Sequence, residues 1–213
     1  MNELPPVVLG PVVLWADLAG IFVSALGGAL LAVRHKLDVF GVFVLAIVTG
    51  LAGGMARDVL IGATPVAALA NTLYLPSALA AGAVVFFGHR VIERASQPVM
   101  LFDAMALGFF AVAGARKALT YGIDPLPAVL LGVLTAVGGG ALRDVLLAEV
   151  PRVLKVGELY ALAAMLGATI VVAGDALNLP STLVGIAGAL GTFALRMVSV
   201  RFGLTAPRAP GSD

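Results

Sequence analysis

The chain has no cysteine, which excludes disulfides, thiolate metal sites and cysteine nucleophiles. Charge is also scarce: Asp, Glu, Lys and Arg make up 12% of 213 residues, against about 25% in an ordinary soluble domain. Half the usual charge does not cover a water-soluble globule of this size. The net charge of +1 carries no clustered basic face, so nucleic acid is not an expected partner. The stretch Met1 to Pro11 holds three prolines and Glu3 but no Lys or Arg, so it lacks the charged start of a cleavable signal peptide. No phosphate loop, metal-ligand spacing or nucleophile triad is visible; neither cofactor nor metal is expected, and nothing suggests an enzyme.

What the chain has in excess is apolar residue, 61% by count with a mean hydropathy of +1.08. A spanning helix needs about 20 mainly apolar residues. Seven stretches qualify: Pro11 to Val33, Val39 to Leu60, Leu73 to Val91, Val99 to Leu119, Pro125 to Leu147, Leu159 to Ala173 (with an earlier start near Val156 also open) and Pro180 to Val200. The expected fold is therefore an all-α membrane protein. The Pro/Gly-rich tail, residues 205–213, is expected to be disordered. Basic residues near helix ends set the orientation. With the N-terminus outside, Arg34, Lys36, Arg90, Arg94, Arg152, Lys155, Arg196, Arg201 and Arg208 fall inside, and only Arg116 and Lys117 fall outside.

Two stretches break the apolar pattern in the same way. Thr49-Gly50-Leu51-Ala52-Gly53-Gly54-Met55-Ala56-Arg57-Asp58 is echoed by Thr135-Ala136-Val137-Gly138-Gly139-Gly140-Ala141-Leu142-Arg143-Asp144. A shift of 86 residues also places Asp17 on Asp103, Asp38 on Asp124, Pro65 on Pro151 and Tyr74 on Tyr160. Matches among alanine and leucine are common in such a chain; matches at Asp, Arg, Pro and Tyr in one register are not. Each copy holds three helices, so the copies lie in opposite orientations. That gives an inverted repeat, residues 11–94 and 99–175, with a seventh helix over 180–200 left as a brace or oligomer contact.

Adjacent glycines disfavour a helix by about 1 kcal/mol each relative to Ala. Inverted repeats with glycine-broken helices place a permeation or binding site where the breaks meet. Freed carbonyls and the hydroxyls of Thr49 and Thr135 would replace part of a cation's water shell. The alternatives are that the glycines only let helices pack closely and that the threonines bond back to their own helix. The pair Arg57 and Asp58 and the pair Arg143 and Asp144 would lie at opposite faces of the membrane, each Arg pairing across helices or with the other repeat and not with its own Asp, because helical neighbours point about 100° apart. Asp17 and Asp103 either line a path or pair with Arg143 and Arg57. Arg116 and Lys117 are read as interface anchors or as gating charges. His35 and His89 are expected to be ordinary loop histidines, far from acidic clusters.

With these residues in view, the sequence resembles the prokaryotic trimeric intracellular cation (TRIC) channels. These overlap a bacterial family, UPF0126, also labelled glycine transporters, with a Gly-Gly-Gly-x-x-Arg-Asp signature. The resemblance covers about Trp15 to Val200 and implies a prokaryotic cell (inner) membrane protein. It further implies a homotrimer with one pore per subunit, lined by the second and fifth helices, passing monovalent cations, potassium foremost and sodium second. The family's kink falls on Gly138, Gly139 and Gly140 in full but on Ala52, Gly53 and Gly54 in the first copy, which suggests a stiffer first hinge. The family's voltage-responsive basic positions correspond most nearly to Arg116 and Lys117. The competing readings are a carrier for glycine or another small zwitterion, and a non-conducting scaffold.

Overall fold

The computed structural model describes residues 11–94, 97–155 and 159–206. The chain before Pro11, the early sixth-segment start at Val156, and residues 207–213 of the expected tail lie outside them. Eight α-helices occur among the described residues: α1 (Pro11–Arg34), α2 (Val39–Leu60), α3 (Ala67–Ala70), α4 (Tyr74–Ile92), α5 (Pro98–Thr120), α6 (Pro125–Leu146), α7 (Tyr160–Ala176) and α8 (Ser181–Phe202). A short 3-10 turn, Arg152–Leu154, precedes α7.

Local chemistry sets the boundaries. Asp38 caps α2 by accepting from the Gly41 N–H at 2.9 Å. Proline opens α5 and α6, where its missing N–H costs nothing. Gly203 takes a left-handed conformation, φ 63°, that stops α8.

α1 and α5 pack along one another in the middle and are the most enclosed helices. α2 and α6 flank them and also touch each other. α4 lies on α1 and α2, and α7 lies on α5 and α6 in the corresponding way. α8 has no counterpart and covers α5 and α7. The interior along α1 and α5 is largely alanine, including Ala25, Ala29, Ala32, Ala111 and Ala115, all fully buried. Small residues let backbones approach where the hydrophobic effect offers no drive between helices. The periphery is reversed: Phe40, Phe87, Leu126 and Leu183 are exposed.

Six helices, α1, α2, α4, α5, α6 and α8, are long and apolar enough to cross a membrane. The chain is thus a multi-pass, all-helical membrane protein. The sixth expected segment appears as α7, whose 17 residues make it shorter than the other six. At about 1.5 Å per residue it reaches roughly 25 Å, under the hydrocarbon thickness of about 30 Å. The expected connections did not include α3 or the 3-10 turn, each of which follows an Arg-Asp pair.

Candidate functional site

Both glycine runs are helical throughout; neither α2 nor α6 is interrupted. The glycines instead form the point where the two helices touch. A Cβ on Gly53 would strike the Thr135 carbonyl oxygen, and a Cβ on Gly139 would strike the Thr49 carbonyl oxygen. A Cβ on Gly138 would sit 3.1 Å from Gly53 Cα. The contact is reciprocal: positions 49 and 53 meet 139 and 135, so the two helices run in opposite directions past each other. Ala52, half-buried, stands where Gly138 stands in the other helix.

The threonine hydroxyls are committed to their own helices. Thr49 Oγ1 donates to the Leu45 carbonyl and Thr135 Oγ1 to the Leu131 carbonyl, both at 2.6 Å. The Thr49 carbonyl also accepts from Ser24 Oγ at 3.0 Å. The hydroxyls and the Thr49 carbonyl are therefore engaged within the protein. Gly54 and Gly140 have a different setting: a Cβ there would meet Arg57 Nη2 at 3.7 Å, or the Tyr160 hydroxyl at 3.3 Å and Arg143 Nη2 at 3.7 Å. They leave space beside the arginines and not between backbones.

About one turn beyond Gly53, α2 ends in a buried ion cluster. Arg57 donates from Nη1 and Nη2 to the two oxygens of Asp17 at 3.1 and 3.2 Å, and from Nε to Asp58 Oδ1 at 2.8 Å. Lys117, on α5, reaches the same Asp58 oxygen at 2.8 Å. The Tyr74 hydroxyl donates to Asp17 Oδ2 at 3.0 Å. Asp58 Oδ2 accepts from the Ala67 N–H at 2.9 Å, which fixes the loop and α3. Two carboxylates balance two cations, as a site with all four side chains almost fully buried requires.

The end of α6 carries a matching arrangement. Arg143 donates from Nη2 and Nε to Asp144 Oδ1 at 2.7 and 2.9 Å and from Nη1 to Asp103 Oδ1 at 3.4 Å. Asp144 Oδ2 accepts from the Arg152 N–H at 2.9 Å, fixing the 3-10 turn. Asp103 Oδ2 is buried with no donor in hydrogen-bond geometry among the described residues. The additional cation comes from α8: the buried Arg196 guanidinium lies 4.9 Å from the centre of the Tyr160 ring.

The arginines thus pair with their own neighbouring aspartates as well as across helices, contrary to the sequence expectation. The side chain is long enough to bend back over the 100° between neighbours. Asp17 pairs with Arg57, and Asp103 with Arg143. Lys117 is buried and not an interface anchor, whereas Arg116 points away to pair with Asp175 at a partly exposed position. His35 is also not remote from acid: its Nε2 lies 3.3 Å from Glu149. Tyr74, Tyr160 and Arg196 are cluster members that the sequence reading did not select. The tyrosines' place in the repeat register was the available signal.

Two hollows adjoin the first cluster. An open one of about 540 Å³ is lined by Thr64, Asn71, Thr72, Tyr74, Lys117 and Tyr121. A small one of about 10 Å³, room for roughly one water, lies deeper between Asp17, Arg57, Gly50, Gly54 and Phe110. Ala67 and Tyr74 border both.

Comparison with known proteins fits this duplicated architecture. The family model described as glycine transporter matches twice, over residues 14–90 and 100–176, starting 86 positions apart. A UPF0126 membrane protein of Deinococcus radiodurans is 44% identical over 156 residues, 72% of either chain. The UPF0126 inner membrane protein YadS of Escherichia coli (strain K12) is 34% identical over 197 residues, 92% of this chain and 95% of YadS. The solved TRIC trimeric intracellular cation channel orthologue from Rhodobacter sphaeroides superposes with a TM-score of 0.86 at 36% identity, covering 92% of this chain and all of that one. A structure solved to explain conductance through TRIC cation channels gives 0.82 at 33% identity, over 93% and 98%. The chain therefore belongs to the glycine transporter family of UPF0126 membrane proteins, and its fold is that of the prokaryotic TRIC channels.

Proposed function

We propose that the chain is a cation channel, potassium-permeable, with a path through each protomer of a homotrimer that passes the α2–α6 contact. The observation carrying this reading is the reciprocal crossing at Gly53 and Gly139 with a buried Arg–Asp cluster at the end of each helix. Likeness over more than nine-tenths of the chain to solved TRIC cation channels supports it. In this reading the halves are inverted three-helix repeats, α7 completes seven spans, and the N-terminus lies outside with the C-terminus cytoplasmic. The opposed directions of α2 and α6 would put the Arg57 and Arg143 clusters about 18 Å apart along the crossing, some twelve residues at about 1.5 Å each.

The crossing would act as the waist. Backbone meets backbone there, so a small sliding of α2 on α6 changes the opening without repacking large side chains. At the first mouth the Lys117 ammonium occupies the Asp58 carboxylate that a passing cation would otherwise approach. Lys117 is therefore the proposed gating charge, with Arg116 outside it: moving one charge through the field is worth about 2.3 kcal/mol per 100 mV. Purified protein in planar bilayers is expected to give stepwise cation currents, and Lys117→Gln to shift their voltage dependence. Absence of current together with saturable glycine counterflow would overturn the channel reading.

The family's description favours a second reading, a carrier for glycine or another small zwitterion. The arginines that would take the substrate carboxylate are already engaged by aspartates, so substrate binding would first have to displace an ion pair. Radiolabelled glycine uptake into proteoliposomes decides this: no accumulation removes the carrier.

A further inference from the structure

We infer that Phe110 is the apolar plug of the path, a role that rests on the channel reading for its consequence but on packing for its placement. The ring is 4% exposed and lies against Gly20 of α1: a Cβ on Gly20 would be 2.7 Å from both Cδ1 and Cε1. The glycine is a notch cut to the shape of the ring. The same ring lines the small cavity beside Asp17 and Arg57. Along α5 it stands seven residues before Lys117, so about 10 Å separates it from the open hollow above. Moving inward, a cation would meet the charged cluster, a space for about one water, and then an aromatic face.

The other half shows what the plug replaces. Shifted by 86 residues, position 110 corresponds to Ser24, a hydroxyl that donates to the Thr49 carbonyl at 3.0 Å. The same register position is therefore polar in the first half and aromatic in the second. An apolar constriction of this kind bars ions by excluding water. Lys117 and Phe110 are then two barriers in series, one electrostatic and one apolar, both carried by α5.

The test is potassium efflux from proteoliposomes carrying the full chain, with Phe102→Ala as the control. Phe102 is on the same helix and packs on Gly27 without lining the cavity. Phe110→Ala is expected to raise efflux about tenfold, equivalent to a barrier lower by about 1.4 kcal/mol. Phe110→Val, which keeps an apolar side chain and safeguards folding, should raise it less, and Phe102→Ala should leave it unchanged. Unaltered efflux in both Phe110 variants beside a conducting wild type would overturn the plug, as would an equal rise in Phe102→Ala. If no form conducts, the channel reading fails and the plug is judged by thiol labelling. Because the chain has no cysteine, Ser24→Cys gives a single target one helical turn beyond Gly20. An impermeant thiol reagent applied on the side of the open hollow should label it faster in the Phe110→Ala background, and equal rates would overturn the inference.

Discussion

The Arg57 and Arg143 clusters repeat four positions, Asp17 and Asp103, Arg57 and Arg143, Asp58 and Asp144, Tyr74 and Tyr160, yet differ in how they are closed. In the first, Arg57 engages both oxygens of Asp17, and the extra cation is Lys117, from the opposite half of the chain. In the second, Arg143 reaches one oxygen of Asp103, at 3.4 Å, and the extra cation is Arg196, from the unduplicated α8. The duplicated motif supplies an arginine between carboxylates; each copy is completed by an outsider. The first cluster therefore ties the halves together, and the second ties α8 to the core. This also gives α8 a role beyond that of a peripheral brace.

The largest expected effect comes from removing an arginine. Arg57→Leu leaves Asp17 without its cation in a buried place while Asp58 keeps Lys117, a loss of about 3–5 kcal/mol. Arg143→Leu should cost more, because Arg143 is the ion-pair partner of both Asp103 and Asp144, whereas Asp58 also has Lys117. Thermal midpoints in one detergent compare the two, and equal losses would erase the distinction between the clusters.

The glycine crossing comes next, and here the halves should behave alike. Gly53→Ala and Gly139→Ala each force backbone apart and should cost about 1–3 kcal/mol. Gly27→Ala and Gly54→Ala add a methyl at ordinary contact distance, 3.6 Å from Phe102 and 3.7 Å from Arg57 Nη2. Those two should be neutral or slightly stabilising, because alanine is the better helix former. Chemical denaturation or detergent-stability curves distinguish the two classes.

Lys117→Met should lower stability by about 1–3 kcal/mol, since it strips a charged partner from buried Asp58. Arg116→Met, at a partly exposed pair, should cost no more than about 1 kcal/mol. The smallest effect is at the loop surface: Glu149→Gln, which loosens His35 and Lys155, should stay near about 0.5 kcal/mol in the same assay.

Much of this arrangement is legible in the chain. Helix limits follow from apolar length, proline and aspartate: the second helix is expected at Val39 to Leu60 and found there. The doubling is legible because Asp, Arg and Tyr recur in one register. What periodicity does not reveal is which way a side chain turns. Arg116 and Lys117 are adjacent and chemically alike, yet only Lys117 faces Asp58, because the rotation of α5 is set by its packing against α1 and α6. Arg196 reads as one more basic residue near an inner helix end until α8 folds against α7. The glycines carry two meanings in sequence, weak helix or close approach. Tertiary packing selects the second by placing a carbonyl where a Cβ would be. α3 and the 3-10 turn are too short to show a period, and they form because the Ala67 and Arg152 N–H groups find Asp58 and Asp144.

In the proposed channel the two clusters would stand at opposite mouths of one path. With no native cysteine to remove, exposed Thr64, after the first Arg-Asp pair, and exposed Val150, after the second, can each be changed singly to cysteine. An impermeant maleimide applied to sealed, outside-out vesicles should label Thr64→Cys and leave Val150→Cys untouched until the vesicles are opened. Labelling of both from the same side would contradict the opposed arrangement.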